Sequence, residues 1–487
     1  MNFTTKISNS SGLTNGQETA LELIHKWFKS NSPVFCLSGR AGTGKTFVIN
    51  HFLNSVNTNV CVTAPTHKAV RVIESMTGRK GKTLHSLHGL RPNVNLDTFD
   101  LNNPQFDALA IPSMQNYKLI VCDECGMINS ALHSLNIKRA MDMNVKILYV
   151  GDQNQLSPVK ERLSPTFLLK DNYELTEIVR QAHDNPLMPV LDLLVDDIKN
   201  NTANFLYYLI KNRNNQNANQ EGYKFITNLN EFHNLAFNHF KSNNFSKDTD
   251  YCRISGWKND TIKLHNDYIR HQLIPYFSNS ESSNNSKINI VDVNDMFTGY
   301  KTIMDEYNNA NLVNSEDYVV KSILPCTDYK FKCFNVDLVT RIKRNPISIK
   351  IVDYTDQSFV TYYEKLKTLY FKALYSAANN RSNSWKSFFE FKNTYLTLVS
   401  FDIKYNGETK TTVVKDIDYG FALTTHKLQG STVENMFINL QDILYYSNGK
   451  PVLNSINNPY AVELRNKLVY TAISRTSKNA YIYFPLT

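Results

Sequence analysis

Three short segments carry residues whose types and spacing can do chemistry. The first is GRAGTGKT, comprising Gly39, Arg40, Ala41, Gly42, Thr43, Gly44, Lys45 and Thr46, which follows the apolar run Val34 to Leu37 and opens a stretch of helical spacing. In that context glycines let a backbone loop fold with its amide N–H groups pointing inward around phosphates, and the next helix adds the partial positive charge of its N-terminus. Lys45 is placed to reach the β and γ phosphates of a nucleoside triphosphate, and Thr46 to hold Mg2+ through its hydroxyl. The second segment is Asp123-Glu124, directly after the apolar run Leu119 to Cys122. One carboxylate complements the metal's charge and one orients the attacking water, which assigns Asp123 to the metal and Glu124 to the water. An acidic pair after a strand is also an ordinary helix cap, so this pair takes its meaning from the loop before it. The third segment, GDQNQLSP at 151–158, follows the run Ile147 to Val150. It leaves its strand at the same sheet edge, with Gln155 placed to sense a γ-phosphate; a plain strand-to-helix loop is the alternative.

These segments need strands that end along one edge. The first half of the chain supplies them, alternating short apolar runs (34–37, 60–63, 119–122, 147–150) with amphipathic stretches such as Gly16 to Phe28 and Lys45 to Val56. That is the pattern of a parallel sheet covered by helices. A polar interval from Arg91 to Gln105, with Pro92 and Pro104, reads as an inserted hairpin spanning about residues 89–112. The asparagine-rich stretches at 212–220 and 278–287 read as surface loops. Tyr251 to Ser255 reads as a strand followed by a helix to Gln272, residues 288–354 alternate like a small antiparallel β unit, and Phe359 to Tyr395 reads as two helices broken near 378–382. After Asp416 the α/β rhythm returns through Phe437 to Leu440 and Ala480 to Phe484. The chain therefore divides into an α/β unit over 1–185, a second one over 186–275 and 416–487, and an insertion of about 140 residues over 276–415.

Composition narrows the class. A chain of 487 residues holds two to four domains with real cores. Its 53 basic and 44 acidic residues give a net charge of +9, which favours a polyanionic partner without demanding one. No apolar run approaches the ~20 residues that cross a bilayer, and the N-terminus lacks the order of a secretory signal. The expected setting is the cytoplasm. Seven scattered cysteines form no paired framework. Cys122 and Cys125 have zinc half-site spacing, but no second pair follows; Cys326 and Cys333 lack neighbours at ligand spacing.

Taken in order, the phosphate loop, the Asp123-Glu124 pair, GDQNQL, LTEIVR at 175–180, LTTHKLQGS at 423–431 and VYTAISRT at 469–476 resemble the motifs of superfamily-one DNA helicases. The resemblance runs from Leu13 to the C-terminus and is nearest to the RecD-like branch and its Dda-type members from T-even phages. LTNGQ at 13–17, APTH at 64–67, TLHS at 83–86 and the helical segment holding Trp385 have counterparts there, whereas 276–415 matches loosely. It implies two RecA-like P-loop lobes with parallel sheets, a wedge hairpin, and an accessory insertion of small β-barrel and helical arm. It makes Gln17 an adenine-reading residue and sets Arg180 and Arg475 against the γ-phosphate. It places Thr66, His67, His85, Thr425, His426 and Gln429 in segments that line a single-strand track and matches Asn259 to an asparagine common after the 251–255 strand. In the hairpin around Pro92 to Leu101, Phe99 is the candidate apolar tip of a strand-separating wedge, with a satellite core contact as its equal alternative. Trp257 is the candidate stacking aromatic, with core packing as its alternative. Gly126 departs from the family's usual serine, Leu428 from a small residue, and 314–317 lacks the family's barrel-turn glycine. The implied activity is that of a monomeric motor using ATP and Mg2+, moving 5′ to 3′ on single-stranded DNA and opening forked or tailed duplex. Its implied setting is phage replication or recombination in the host cytoplasm, with a single-strand-binding or recombination protein as a candidate partner. The alternatives are a translocase or RNA-directed motor that displaces proteins, and a non-catalytic single-strand-binding scaffold.

Overall fold

A computed structural model describes residues 12–90, 112–179, 184–278, 289–304, 310–340, 346–378, 385–405, 409–445, 449–452 and 458–486. The expected wedge hairpin with Phe99, and the expected phosphate-binding Arg180, lie outside the described residues. The chain forms two compact units. One comprises Met1–Asn228, Ser255–Trp257 and Thr425–Thr487, the other Leu229–Ile254 and Lys258–Thr424.

In the first unit, β1 (Val34–Gly39), β2 (Val60–Ala64), β3 (Gly81–Thr83), β4 (Leu119–Cys122), β5 (Lys146–Gly151) and β6 (Asn172–Leu175) form a parallel sheet in the order β3-β2-β4-β5-β1-β6. Successive side chains alternate between its faces. Phe35, Leu37, Leu119, Val121 and Leu148 join the helices α1 (Asn15–Phe28) and α2 (Lys45–Ser55) through Ala20, Ile24 and Phe52. Cys36, Ile120, Cys122, Ile147 and Tyr149 pack on the other face against Leu132 and Leu135 of the helix Ser130–Asp142. Burial on both faces is why these strands read as continuous apolar runs. Cys122 and Cys125 are small apolar members of that second core. The order β4-β5-β1 brings the three chemistry-bearing segments to neighbouring carboxyl ends, since each follows one of these strands.

A second sheet in the same unit joins Val433–Asn439, Thr476–Tyr483 and Gly222–Ile226 in parallel. Asn214–Gln216 adds to its edge in antiparallel fashion, where the sequence suggests only a surface loop. All three of its side chains are exposed, so backbone pairing alone makes it a strand. The helix Pro459–Ser474 is fixed to the helix Leu187–Asn200 through Asn466 Nδ2, which donates to the carbonyls of Asp197 and Thr202 at 3.1 and 2.9 Å.

The second unit is built on a sheet in the order Tyr395–Leu396, Ile347–Val352, Phe331–Val339, Asp317–Asp328, Met296–Gly299, Ile417–Tyr419, antiparallel except at its first pair. The helices Phe359–Ala378 and Lys386–Thr394 share with it a core of Phe331, Cys333, Tyr362, Leu366, Phe391 and Tyr395. Cys326 and Cys333, unrelated by ligand spacing, face each other across the hairpin as free thiols with Sγ atoms 3.0 Å apart.

Two buried histidines make stability depend on pH. His88 Nε2 meets Asn136 Oδ1 at 2.5 Å, and burial pushes its pKa down to about 4. His265 sits 2.8 Å from His233, and burial, with His233 adding, pushes it down to about 3. The unfolded chain takes up these protons near 6.5 and the folded chain only at much lower pH, so stability is complete above 6.5 and is lost as pH falls. Urea melts from pH 6.5 to 5 should therefore show a loss that steepens toward roughly 1.4 kcal/mol per pH unit for each histidine. A His88→Gln variant should show a shallower dependence; identical slopes would remove His88 from the account.

Candidate active site

The phosphate loop is held from behind by α1. Thr14 and Gln17 form a capping box: the Thr14 hydroxyl accepts the Gln17 N–H at 3.4 Å and Gln17 Oε1 accepts the Thr14 N–H at 3.1 Å. Gln17 Nε2 then donates to the Thr43 carbonyl at 3.0 Å. Gln17 is buried with both ends of its amide engaged, so it ties the helix start to the loop. Gly44, at φ +76°, precedes α2 in a left-handed conformation, and a Cβ there would run into Gln17 Nε2. Thr43 Oγ1 donates to the Arg40 carbonyl at 2.9 Å, and Gly42 accepts from the Val179 N–H at 2.9 Å. Lys45 Nζ donates to the carbonyls of Gly39 and Arg40 at 2.6 and 3.1 Å, which sets its amine across the mouth of the loop. Arg40 pairs with Asp192, Ala41 donates its N–H to the Tyr470 hydroxyl at 3.3 Å, and Thr46 sits half-buried in the first turn of α2.

The acidic pair follows at the end of β4. The Asp123 N–H donates to the Thr63 carbonyl at 2.9 Å. Burial first, and the neighbouring Glu124 second, push the Asp123 carboxyl up to about 6, against the pull of Lys45 and Arg475. Glu124 adopts a left-handed backbone, φ +54° and ψ +39°, uncommon for a residue with a side chain. Arg475 Nη2 lies 2.9 and 3.0 Å from its two oxygens and also donates to Gln155 Oε1. Residues 151–156 are gripped from further sides. Tyr470 donates to Asp152 Oδ2 at 2.7 Å, the Leu156 N–H donates to Thr471 Oγ1 at 3.1 Å, and Gln429 Nε2 donates to the Leu156 carbonyl at 3.2 Å.

The expected track residues divide by burial. Thr66 caps the helix α3 (His67–Thr77), accepting the Ala69 N–H at 3.2 Å. Gly430, at φ +74°, lies so close that a Cβ there would stand 2.7 Å from Ala69 Cβ, which brings the THKLQG segment against this cap. His67, His85 and His426 are half-buried, and burial holds all three below the ordinary histidine value, with Arg71 and His85 adding at His67 and Arg465 at His426. Thr425 is fully buried, its hydroxyl donating to the Gly256 carbonyl at 3.1 Å beside Ser255 Oγ at 3.0 Å, and Gln429 is buried on Leu156. Both are committed to protein partners. Leu428 is likewise fully buried and serves as core. Trp257 is half-buried, with its backbone N–H donating to Asp442 Oδ2 at 2.6 Å and the Arg465 guanidinium 3.2 Å over one ring face. Trp257, Tyr460, His426, Lys160, Arg162 and Lys467 line a cleft of about 170 Å³. Asn259 opens the helix Asn259–Ser278 and is exposed; it belongs to the other compact unit.

The profile of a family described as an AAA domain matches residues 12–206. The ATP-dependent DNA helicase dda of Enterobacteria phage T4 is 28% identical over 204 residues, or 40% of this chain and 44% of the phage protein, so that match spans less than half of its relative. Over parts of its length the chain is thus similar to proteins named as ATP-dependent DNA helicases, among them RecD2 of Deinococcus radiodurans, 31% identical over 36% of this chain and 23% of that protein. An uncharacterized protein, R530 of Acanthamoeba polyphaga mimivirus, is 24% identical over 91% of this chain and 96% of its own length. Among solved structures, the Pif1 helicase from Candida albicans aligns over 97% of this chain and 94% of that one, with 14% identity and a TM-score of 0.49. Among the described residues no helix is long and apolar enough to cross a membrane.

Asp152, Tyr470, Thr471 and Asp192 lie in or beside this candidate site without any local feature that names them. Asp152 lies within GDQNQLSP, and Tyr470 and Thr471 within VYTAISRT, so a buried polar residue inside such a segment is the signal that could have found them. The arginine carries a direct expectation. Arg475→Ala should leave ATP affinity within a few-fold while hydrolysis falls by roughly 1000-fold, as for other arginines that meet a γ-phosphate. Binding of a fluorescent ATP analogue measured beside steady-state turnover checks this; equal losses in both would make Arg475 a structural residue.

Proposed function

We propose that this chain is an ATP-dependent DNA helicase that moves 5′ to 3′ along single-stranded DNA and separates duplex ahead of it, in viral replication or recombination in a host cytoplasm. The observation that carries the reading is Arg475, from the last helix, reaching both the strand-terminal Glu124 and Gln155. An arginine in that place completes a hydrolytic site around the acidic pair. The domain reading that goes with it is an N-terminal RecA-like lobe over 1–185 with the wedge inserted, a second lobe over 186–275 and 416–487, and an accessory insertion over 276–415.

The residues divide the work. Amides of the phosphate loop and the Lys45 amine bind the phosphates. Thr46 and Asp123 offer only oxygen ligands, so the pair fits a hard divalent cation such as Mg2+. When bound, that ion neutralises phosphate charge. Glu124 orients the attacking water and accepts its proton. Arg475 binds the charge that spreads over the equatorial oxygens, for which its planar fork is suited, and Gln155 holds the guanidinium in register. On the nucleic-acid side, neutral histidines and the Trp257 cleft hold a strand without reading its sequence, which a motor passing any base requires. Lys160 and Arg162, exposed on that cleft, add the salt-sensitive part, whereas Lys467 is buried and paired with Glu463. Arg180 belongs beside Arg475 in this reading, and Phe99 at the wedge tip.

Forked DNA carrying only a 5′ or only a 3′ tail tests the proposal. Unwinding is expected from the 5′ tail alone. A 3′ requirement would reverse the polarity, and DNA-stimulated hydrolysis without unwinding would favour a translocase that displaces proteins. Phe99→Ala should retain single-strand-stimulated hydrolysis and unwind about tenfold more slowly, the scale of one lost base stack.

A further inference from the structure

Tyr470 is fully buried on the helix Pro459–Ser474, five residues before Arg475, and its hydroxyl stands between two elements of the active site. On one side it accepts the Ala41 N–H of the phosphate loop at 3.3 Å; on the other it donates to Asp152 Oδ2 at 2.7 Å. Asp152 Oδ1 is in turn spent locally, accepting the Asn154 backbone N–H at 2.9 Å and its side-chain amide at 3.2 Å. The next residue on the helix, Thr471, accepts the Leu156 N–H at 3.1 Å, and one turn on Arg475 donates to Gln155. One helix therefore grips residues 152, 155 and 156 with three side chains, and the first of them also touches the loop.

The two bonds of the phenol are unequal. A long bond from an amide to a neutral hydroxyl is weak, whereas a phosphate oxygen is a charged acceptor for the same N–H and binds it more strongly. Phosphate arriving at Ala41 takes that amide from the phenol, which keeps Asp152 and loses its tie to the loop. We infer that Tyr470 is a positioning residue for hydrolysis, its hydroxyl coupling occupancy of the phosphate loop to the placement of Arg475 and Gln155. The inference deepens the proposed function and rests on it.

The test compares the full chain with Tyr470→Phe, Asp152→Asn and the double variant. It measures melting temperature, affinity for a fluorescent ATP analogue, and kcat and KM for ATP at saturating single-stranded DNA. Tyr470→Phe keeps the buried ring and should bind the analogue at least as tightly as the unaltered chain, because a competitor for the Ala41 amide is gone. Its kcat should fall about tenfold or more without a rise in KM, the scale of a misplaced reacting geometry. Asp152→Asn should lower kcat in the same sense. The double variant should lose no more than Tyr470→Phe alone, since residue 152 acts through that hydroxyl. Unchanged kcat in Tyr470→Phe, a raised KM at unchanged kcat, or losses that add in the double variant would each overturn the coupling. Should Tyr470→Phe fail to fold, Asp152→Asn decides by its own kcat, and a wild-type value there overturns the proposal. An unaltered chain that hydrolyses no ATP overturns the proposed function and the coupling with it. An active chain with an indifferent Tyr470→Phe overturns the coupling alone.

Discussion

The ion pair between Arg475 and Glu124 joins two parts of the chain 351 residues apart in sequence and sets the requirement that the rest of the first unit meets. A guanidinium must lie against one carboxylate, close to a second, buried carboxylate and a lysine amine, which act on each other's charge. Each of those groups is anchored on a different element: Lys45 on the start of α2, Asp123 and Glu124 at the end of β4, Gln155 after β5, Arg475 at the end of the last helix. Both faces of the parallel sheet are packed, which fixes the strand ends. The long pairings of the last helix with residues 151–156 fix the arginine. Glu124 meets the arginine from a left-handed backbone conformation.

In the proposed function this arrangement connects the nucleotide site to the nucleic-acid side by short steps. Gln155 touches Arg475, the following residue Leu156 is held by Thr471 through its N–H and by Gln429 through its carbonyl, and Gln429 belongs to the THKLQG segment that packs against the Thr66 cap through Gly430. A shift of residues 151–156 therefore moves atoms on both sides. Because Thr425 and Gln429 are buried, this segment acts in the proposed motor more as the coupling than as the surface a strand lies on. The exposed part of that task falls to the histidines and to the cleft at Trp257.

Much of the site was legible because its chemistry is local. Gly39 to Thr46, Asp123-Glu124 and Gly151 to Pro158 each stand directly after an apolar run, so a strand followed by a functional turn could be read from neighbours in sequence. The helical pair in 359–395 and the antiparallel unit before it were legible for the same reason, as periodic patterns. What could not be read depends on distant contacts. Nothing near Tyr470 announces Asp152, and nothing near Gln429 announces Leu156. Arg475 was reached only through family resemblance, since a lone arginine carries no local signal. The strand Asn214–Gln216 defeats pattern reading because its pairing is made by backbone and its side chains are solvated. The facing thiols of Cys326 and Cys333 follow from a hairpin register that spacing rules for ligands do not contain.

In the proposed function this site hydrolyses ATP when, and because, a single strand of nucleic acid is held nearby. Steady-state ATP hydrolysis by the full chain, measured with and without a single-stranded DNA oligonucleotide across a salt series, is the deciding measurement. The expected result is a low rate alone, a rise of tenfold or more at saturating DNA, on the scale that ordering a reacting geometry supplies, and loss of that rise as salt weakens binding. Hydrolysis that is absent under all conditions, or that proceeds at one rate whether or not DNA is present, would contradict it.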